Sequence, residues 1–262
     1  MFEKSILVVA HLDDEVLWFS SILDKVDQIV VCYLGVKSHP EWTDGRKKSL
    51  MSHPLSNLTC LGLDESEVFE GPDWENPVVT EHGMAIQKKQ FSDEVYKQNF
   101  KTLKERLESK LAGYQNVFTH NPWGEYGHVE HVQVFRIVKD LQIALKFNLW
   151  FSNYCSNKSF NLMLNYVSGF NSNYITLPTD KKMGQLLMQL YTNNNCWTWY
   201  SDYRWFNEEA FMKDKQEQDG ITLQPQGHIF PLNMIKVWIP GNEPGLFKRV
   251  YSVISAMVKK LI

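Results

Sequence analysis

The chain has 262 residues, of which 44% are hydrophobic and 22% charged, a composition typical of a globular protein with a sizeable core. Its formal net charge of −3 excludes a global basic field that would attract nucleic acid. No apolar run reaches the roughly 18–20 residues of a membrane span and the start lacks a signal-peptide pattern, so we expect a cytoplasmic protein. The four cysteines form no CxxC pair and are expected to be free thiols of a reducing compartment, with Cys32 and Cys155 buried.

The N-terminal region is predicted to form a strand, a helix and a second strand. The runs SILVVAHL at 5–12 and QIVVCYLGV at 28–36 are apolar and β-branched, which is typical of strands buried on both faces of a sheet. Between them, DEVLWFSSILDKV at 14–26 places its apolar residues at helical spacing. A strand–helix–strand unit with parallel strands is therefore expected here.

The next region has weaker patterns. Residues 38–45 contain Pro, Asp and Gly and are predicted to form a loop. The segment 46–64 is weakly helical, with a helix start or a kink at Pro54. Residues 65–91 lack a regular period, which predicts a surface flap or short strands.

Alternation of helices and strands then returns. The apolar stripe and end signals of 92–113 predict a long helix, and 131–145 predicts another. Short apolar runs at 116–121 and 147–153 predict strands. A helix is also predicted over 179–191.

This order of elements predicts one α/β domain over residues 1–262, built on a Rossmann-like, mostly parallel sheet flanked by helices. Residues 1–155 are its motif-bearing core, and 156–262 form a C-terminal α/β extension. The last segment, 245–262, has the pattern of an amphipathic helix with Lys and Arg at both ends. It is interpreted either as docked on the body or as a peripheral contact with the anionic surface of the inner membrane.

Two clusters of ionisable residues follow predicted strands. The first strand runs directly into HLDDE at 11–15, and the strand at 116–121 runs into the segment THNPWGEYGHVEH at 119–131. Parallel sheets bind ligands beyond the carboxyl ends of their strands, so both clusters are expected at one edge of the sheet. A strand end needs at most one acid as a helix cap, and the remaining acids and histidines call for another role.

A metal centre is the first interpretation of these clusters. His11, Asp14 and His131 offer two imidazoles and one carboxylate with an open position, the ligand pattern of a catalytic zinc site. Zinc is the default metal, and Fe(II) and Co(II) accept similar ligands. The alternative is that the acids cap the helix at 14–26 and that the histidines are surface groups.

The other residues of the clusters suggest roles in hydrolysis. Asp13 adjoins a ligand and is the candidate general base. His128 and Tyr126 are candidate hydrogen-bond donors to an oxyanion. Glu15 and Glu130 are expected to orient the imidazole ligands.

The segments AHLDDE and GEYGHVEH resemble motifs of the LmbE-like (PIG-L) family of zinc-dependent N-deacetylases, which carry AHPDDE after the first strand and HPDH further on. The resemblance extends over residues 1–155 and implies a Rossmann-like α/β fold that hydrolyses an N-acyl group, usually acetyl from an N-acetylglucosaminyl moiety. It implies His11, Asp14 and His131 as zinc ligands, Asp13 as general base, and His128 and Tyr126 at the oxyanion.

Both motifs depart from the family pattern. Leu12 replaces the Pro of the first motif, which frees the backbone and leaves the ligand positions intact. Val129 and Glu130 replace the Pro-Asp of the second, and Glu130 retains the acid on a side chain one methylene longer.

A third departure concerns the substrate. Members of the family commonly carry an Arg-x-x-Glu helix after the second strand, and its Arg contacts the substrate. Counting back from Leu61-Gly62, those positions hold Leu50 and His53, with Arg46 nearby but out of register. The sequence therefore predicts intact metal chemistry and altered substrate contacts.

The expected function is metal-dependent removal of an N-acetyl group from an N-acetylglucosamine-type amino sugar or its conjugate, in glycan or cell-envelope biosynthesis. The expected partner is a small-molecule or lipid-linked amino sugar and no nucleic acid, with a homo-oligomer left open. Three alternatives are a metal-dependent amidase on a non-acetyl or non-sugar amide, a non-catalytic carbohydrate-binding protein and a nucleotide-binding α/β protein. The absence of a GxGxxG fingerprint disfavours the last of these.

Overall fold

The computed structural model describes residues 2–167, 173–214 and 230–238. Its strands are β1 Ser5–Val9, β2 Gln28–Gly35, β3 Leu58–Asp64, β4 Val79–Thr80, β5 Gly83–Met84, β6 Asn116–Thr119, β7 Asn148–Ser152, β8 Tyr154–Ser156, β9 Tyr174–Pro178, β10 Glu208–Lys213 and β11 Asn233–Ile235. Its helices are α1 Asp14–Trp18, α2 Pro40–Met51, α3 Glu94–Leu111, α4 Val129–Leu145, α5 Phe160–Val167 and α6 Lys181–Asn193.

A seven-stranded sheet in the order β3-β2-β1-β6-β7-β10-β9 forms the centre of the fold. The first five of these strands run parallel to their neighbours. Strand β10 pairs antiparallel with β7 and with β9, so the sheet is mostly parallel with an antiparallel edge. The predicted α/β class is confirmed, and strands β9 and β10 belong to the C-terminal extension.

Helices cover both faces of the sheet, so the side chains of β1 are buried on both faces. Leu7 and Val9 point into a core that includes residues of α1 and α6. Ile6 and Val8 point into the opposite core, which is filled by α3 and α4. This continuous apolar strand is the pattern expected of a parallel sheet covered by helices on both sides.

The prediction of a loop at 38–45 and of a weak helix at 46–64 is wrong in detail. Helix α2 begins at Pro40, where the missing N–H is no loss, and ends at Met51. Gly45 allows this helix to approach α6 closely, since a Cβ there would lie 2.2 Å from the carbonyl oxygen of Asn194. Residues Leu58–Asp64 form β3 because they pair in parallel with β2, a long-range contact that local pattern does not reveal.

The single helix predicted over 14–26 is also wrong. Helix α1 ends at Trp18 and is followed by a short 3₁₀ turn over Ser20–Ile22. The hydroxyls of Ser20 and Ser21 donate to the buried carboxylate of Glu209, at 2.9 and 2.6 Å. Serine side chains that bond elsewhere compete with a continuous helix.

The bounds of the remaining elements agree with the predicted bounds within a few residues. The irregular segment 65–91 contains only the short strands β4 and β5, as expected. All four cysteines are free, and Cys32 and Cys155 are buried. Among the described residues, no helix is both long and apolar enough to cross a membrane. The predicted helix at 245–262 lies outside the described residues.

Candidate active site

Both ionisable clusters lie at one edge of the sheet, which confirms that prediction. They follow β1 and β6, which are adjacent and parallel. The backbone N–H of Ala10, after β1, donates to Nε2 of His120, after β6, at 2.8 Å. Oδ1 of Asp14 lies 3.1 Å from Nε2 of His131. Residues 117 positions apart in the chain therefore meet in one site.

Asp13 has a left-handed backbone conformation, with φ at 103°. Such a conformation costs a non-glycine residue about 1–3 kcal/mol and persists where the surroundings hold it. The N–H of Asp13 donates to Oε2 of Glu15 at 2.9 Å, and the other oxygen of Glu15 accepts from the hydroxyl of Tyr191 in α6. The hydroxyl of Thr198 donates to Oδ2 of Asp13 at 2.9 Å. Two residues of the C-terminal extension therefore hold the candidate base.

A tight turn returns the chain from β6 towards the second cluster. Oδ1 of Asn121 accepts from the N–H of Glu125 at 2.9 Å and closes the turn. Gly124 has φ at +69°, and a Cβ there would lie 2.5 Å from the carbonyl oxygen of His128. This turn places the buried carboxylate of Glu125 beneath two imidazoles, accepting from Nδ1 of His120 at 3.0 Å and from Nδ1 of His131 at 2.7 Å.

The hydrogen bonds of His131 fix which of its nitrogens faces the site. Because Nδ1–H donates to Glu125, Nε2 of the neutral ring carries a lone pair and no proton. This Nε2 is buried and has no hydrogen-bond partner among the described residues. It lies 3.1 Å from Oδ1 of Asp14. A nitrogen lone pair and a carboxylate oxygen attract each other only through a positive charge between them.

His11 has the same arrangement on the other side of Asp14. Its Nε2–H donates at 2.8 Å to Oε2 of Glu130, whose other oxygen accepts from Ser66. Nδ1 of the neutral ring therefore carries the lone pair, and it lies 3.1 Å from Oδ2 of Asp14. Asp14 thus stands between two imidazole nitrogens that have no other partner in the neutral state.

Two other histidines also lie in groups that could hold an ion, but their hydrogen bonds differ from those of His11 and His131. His120 accepts the N–H of Ala10 at Nε2 and donates from Nδ1 to Glu125, which uses both nitrogens. Nδ1 of His128 accepts the N–H of Glu130 at 3.2 Å as the N-cap of α4, so the proton of the neutral ring is on Nε2. Among the described residues, three groups of side chains come close enough to share an ion: His11 with His128 and His131, Asp14 with His120 and His131, and His11 with Glu65 and Glu130. The predicted ligands His11, Asp14 and His131 are divided between the first two groups, and each imidazole lies 3.1 Å from the carboxylate of Asp14.

The electrostatic environment is that of a site with surplus negative charge. Burial lowers the pKa of His11, but the charge of Glu65 and the bonds to Asp14 outweigh it, and the pKa lies well above its ordinary value. Burial raises the pKa of Asp13 to about 8, with a further increase from the charge of Asp14. Burial lowers the pKa of His128 well below its ordinary value, which keeps the ring neutral.

The two acids predicted to orient imidazoles have different positions. Glu130 contacts an imidazole, that of His11. Glu15 instead bonds to the backbone of Asp13 and to Tyr191, so it positions the candidate base. The acid beneath the other ligand is Glu125, which the sequence placed in the cluster without a role. A carboxylate six residues before a histidine gives no sequence signal, because the turn that joins them depends on Asn121 and Gly124.

A cavity of about 600 Å³ opens onto the site. Its wall includes His11, Asp13, Tyr126 and His128. The rest of its wall is rich in rings, contributed by Trp42, Phe69, Phe91, Trp199, Tyr200 and Trp238. Burial raises the pKa of Tyr126 well above its ordinary value, so its hydroxyl is a donor at neutral pH.

The structure corrects the predicted position of the substrate-contact helix. Arg46 of α2 lines the cavity and donates to Oε1 of Glu65 at 2.5 Å. Leu50 packs into the core beneath, and His53 follows the helix and contacts the hydroxyl of Tyr191. Glu65 was missed because β3, which delivers it to the edge of the sheet, was predicted as helix.

Comparisons with known proteins give a limited sequence match. No protein-family model matches the chain. The uncharacterized protein L374 of Acanthamoeba polyphaga mimivirus is 26% identical over an alignment of 157 residues that covers 58% of this chain. The match spans 62% of that relative's length.

Solved structures show a shared fold. The crystal structure of a deacetylase–teicoplanin complex from the teicoplanin biosynthesis pathway covers 81% of this chain and 99% of its own, at 12% identity and a TM-score of 0.50. The zinc-inhibited form of teicoplanin deacetylase covers 82% of this chain and 99% of its own, at 12% identity and a TM-score of 0.51. The architecture of the chain is therefore that of these deacetylases.

Proposed function

We propose that the protein is a metal-dependent hydrolase that removes an N-acetyl group from an amino sugar or its conjugate. The observation that carries the proposal is the pair of imidazole nitrogens, Nδ1 of His11 and Nε2 of His131, that each lie 3.1 Å from the carboxylate of Asp14. The carboxyl of Asp13 and the donors His128 and Tyr126 line the adjoining cavity. The fold shared with teicoplanin-pathway deacetylases is consistent with this reaction.

Nδ1 of His11, the carboxylate of Asp14 and Nε2 of His131 would hold the metal. Two imidazoles and a carboxylate suit zinc best, and Fe(II) and Co(II) remain alternatives. A divalent metal in this position supplies Lewis acidity and lowers the pKa of a bound water towards about 7. Glu130 and Glu125 fix the tautomers of the two imidazoles, because each accepts the proton of the nitrogen opposite the ligand atom.

The chain's own groups supply the proton transfers. Asp13 would accept a proton from the attacking water and return it later in the reaction. Nε2–H of His128 and the hydroxyl of Tyr126 donate to the carbonyl oxygen as it gains negative charge. Asp13 then protonates the amide nitrogen, the C–N bond breaks, and acetate and a free amine are released.

The cavity favours a sugar as the substrate. Trp42, Trp199 and Trp238 present rings along its wall, and such surfaces pack against the C–H faces of pyranose rings. The lining also includes Arg46 and other polar groups that can bond to hydroxyls. A cavity of about 600 Å³ is larger than one hexosamine needs, which favours a conjugate.

The first experiment combines elemental analysis of the purified protein with an assay of acetate and amine release from N-acetylglucosaminyl compounds. We expect about one divalent metal per chain and equal amounts of acetate and amine, with activity lost on chelation and restored by zinc. A bound metal without release of acetate from any compound would favour the non-acetyl amidase or the carbohydrate-binding alternative. A chain that binds no metal after reconstitution would overturn the proposal.

Glu125→Gln should weaken metal binding about 10–100-fold, because the carboxylate that fixes His131 becomes an amide. Its buried charge is needed in the folded protein, where neighbouring His120 and His131 overcome the effect of burial and hold the pKa of Glu125 at about 2. Metal affinity can be measured by competition with a chromogenic chelator. Glu105→Gln on the surface of α3 is the matched control, and equal affinities in both variants would contradict the role of Glu125.

A further inference from the structure

Lys158 lies in the cavity wall outside both sequence motifs and has no role in the hydrolysis described above. Its Nζ sits 3.7 Å from the ring centre of Phe69 and 5.4 Å from that of Trp74. The Phe69 ring in turn packs against His128, with ring centres 4.8 Å apart. A single ring therefore separates the lysine charge from the candidate oxyanion donor.

The position of Lys158 is fixed by the candidate catalytic turn. Its backbone N–H donates to Oγ of Ser156 at 3.0 Å, and that hydroxyl donates to the carbonyl oxygen of Tyr126 at 3.1 Å. Its side chain crosses Gly127, where a Cβ would lie 3.0 Å from both Cγ and Cδ of the lysine. With φ at +90°, Gly127 is suited to glycine and leaves the lysine room to reach the cavity.

The acids of the cavity wall already have partners. Asp13 accepts from Thr198, and Glu65 pairs with Arg46. Glu67 accepts the N–H of Ser38 at 2.5 Å, and Glu70 lies 3.8 Å from Nζ of Lys88.

The other cations of the wall are paired as well. Arg46 is matched by Glu65, and His39 lies 3.0 Å from Glu41. Among the described residues, Lys158 forms no ion pair and contacts only aromatic faces at its charged end. Burial lowers the pKa of Lys158 to about 8, because the opposing effect of the nearby Glu70 carboxylate is too weak to offset it and the charge of Lys88 lowers the pKa further.

We propose that Lys158 forms a subsite for an oxyanion, a carboxylate or a phosphate, carried by the substrate away from the scissile amide. The inference rests on the proposed function, which places the amide at Asp13 and His128. An ammonium group held on an aromatic face, with its donors free towards a cavity, binds an anion without first breaking an ion pair. The natural substrate would then be an acidic amino-sugar derivative and not the plain sugar.

Calorimetric titration of the whole 262-residue chain with three free amines tests this subsite, because free amines bind without being deacetylated. The ligands are glucosamine, muramic acid, which adds a carboxylate, and glucosamine 1-phosphate. We expect at least one of the two acidic ligands to bind about tenfold or more tightly than glucosamine. The ligand with the larger gain identifies the anion as carboxylate or phosphate.

Lys158→Met should abolish this gain while leaving glucosamine binding within about twofold, and Lys158→Arg should retain most of it. Lys88→Met removes an equal charge nearby that is already paired with Glu70, and it should keep the gain. Retention by Lys158→Arg also shows that the position tolerates substitution. Equal binding of all three amines by the wild type, or an unchanged gain in Lys158→Met, would overturn the subsite.

Failure of this inference is distinct from failure of the proposed function. Acetate release from N-acetylglucosaminyl compounds with no dependence on Lys158 would leave the hydrolase intact and remove the subsite. Conversely, tight binding of an acidic amine that depends on Lys158, in a protein that releases no acetate, would retain the subsite and overturn the hydrolase.

Discussion

Asp13→Asn should lower the rate of amide hydrolysis by at least about 10²-fold while leaving the metal content unchanged. An amide cannot accept a proton from the attacking water, whereas it can still accept the hydrogen bond from Thr198. Asparagine suits this test better than alanine because it tolerates the left-handed conformation at φ 103°. Steady-state rates and elemental analysis of the same preparation give the two readouts.

The matched control for this variant is Asp24→Asn. Asp24 is exposed and pairs with Lys25 at 2.6 Å, far from the cavity, so the same chemical change should leave the rate within about twofold. Full activity in Asp13→Asn would remove this residue from the role of base. Loss of metal in that variant would instead assign Asp13 to the ligand set.

His131→Ala should abolish metal binding, and hydrolysis should fall by at least about 10²-fold with it. In the proposed site the imidazole supplies one of the three protein ligands, and the alanine leaves the carboxylate of Glu125 without one of its donors. Metal per chain after gel filtration in metal-free buffer is the measurement. Circular dichroism on the same sample checks that the protein is folded.

His82→Ala is the control for loss of an imidazole. His82 follows β4, outside the candidate active site, and should keep about one metal per chain. If His131→Ala retained the wild-type metal content, the ligand set of His11, Asp14 and His131 would be wrong. His128→Ala separates the roles further, since a donor to the oxyanion can be removed without loss of metal.

The clearest patterns of the sequence predicted the sheet and the place of the site. The buried run at 5–12 could only be a covered strand, and the acids after this strand had to lie at the carboxyl edge of the sheet. The amphipathic helices were found because their periods are local properties. Strand β3 was missed because its half-exposed residues depend on pairing with β2, which no local pattern contains.

The residues of the site likewise divide into those that the sequence could identify and those that it could not. Those of the first and second clusters could be named because they are adjacent in sequence and come directly after strands. Arg46, Thr198 and Lys158 could not, since each reaches the cavity from an element whose position depends on tertiary packing. The sequence named His131 as a candidate ligand, but the different hydrogen bonds of His131 and His120 are visible only in the folded protein.

The left-handed conformation of Asp13 depends on a different part of the chain from the proposed metal ligands. Every atom proposed to hold the metal lies in the first 131 residues. The two residues that position Asp13 come from the extension: Thr198 bonds to it directly, and Tyr191 bonds to Glu15, which bonds to the backbone of Asp13. Substitutions confined to the extension would therefore alter the surroundings of the proposed base while leaving the proposed ligand set unchanged. The proposed proton transfer and the proposed metal binding can thus change independently in related chains.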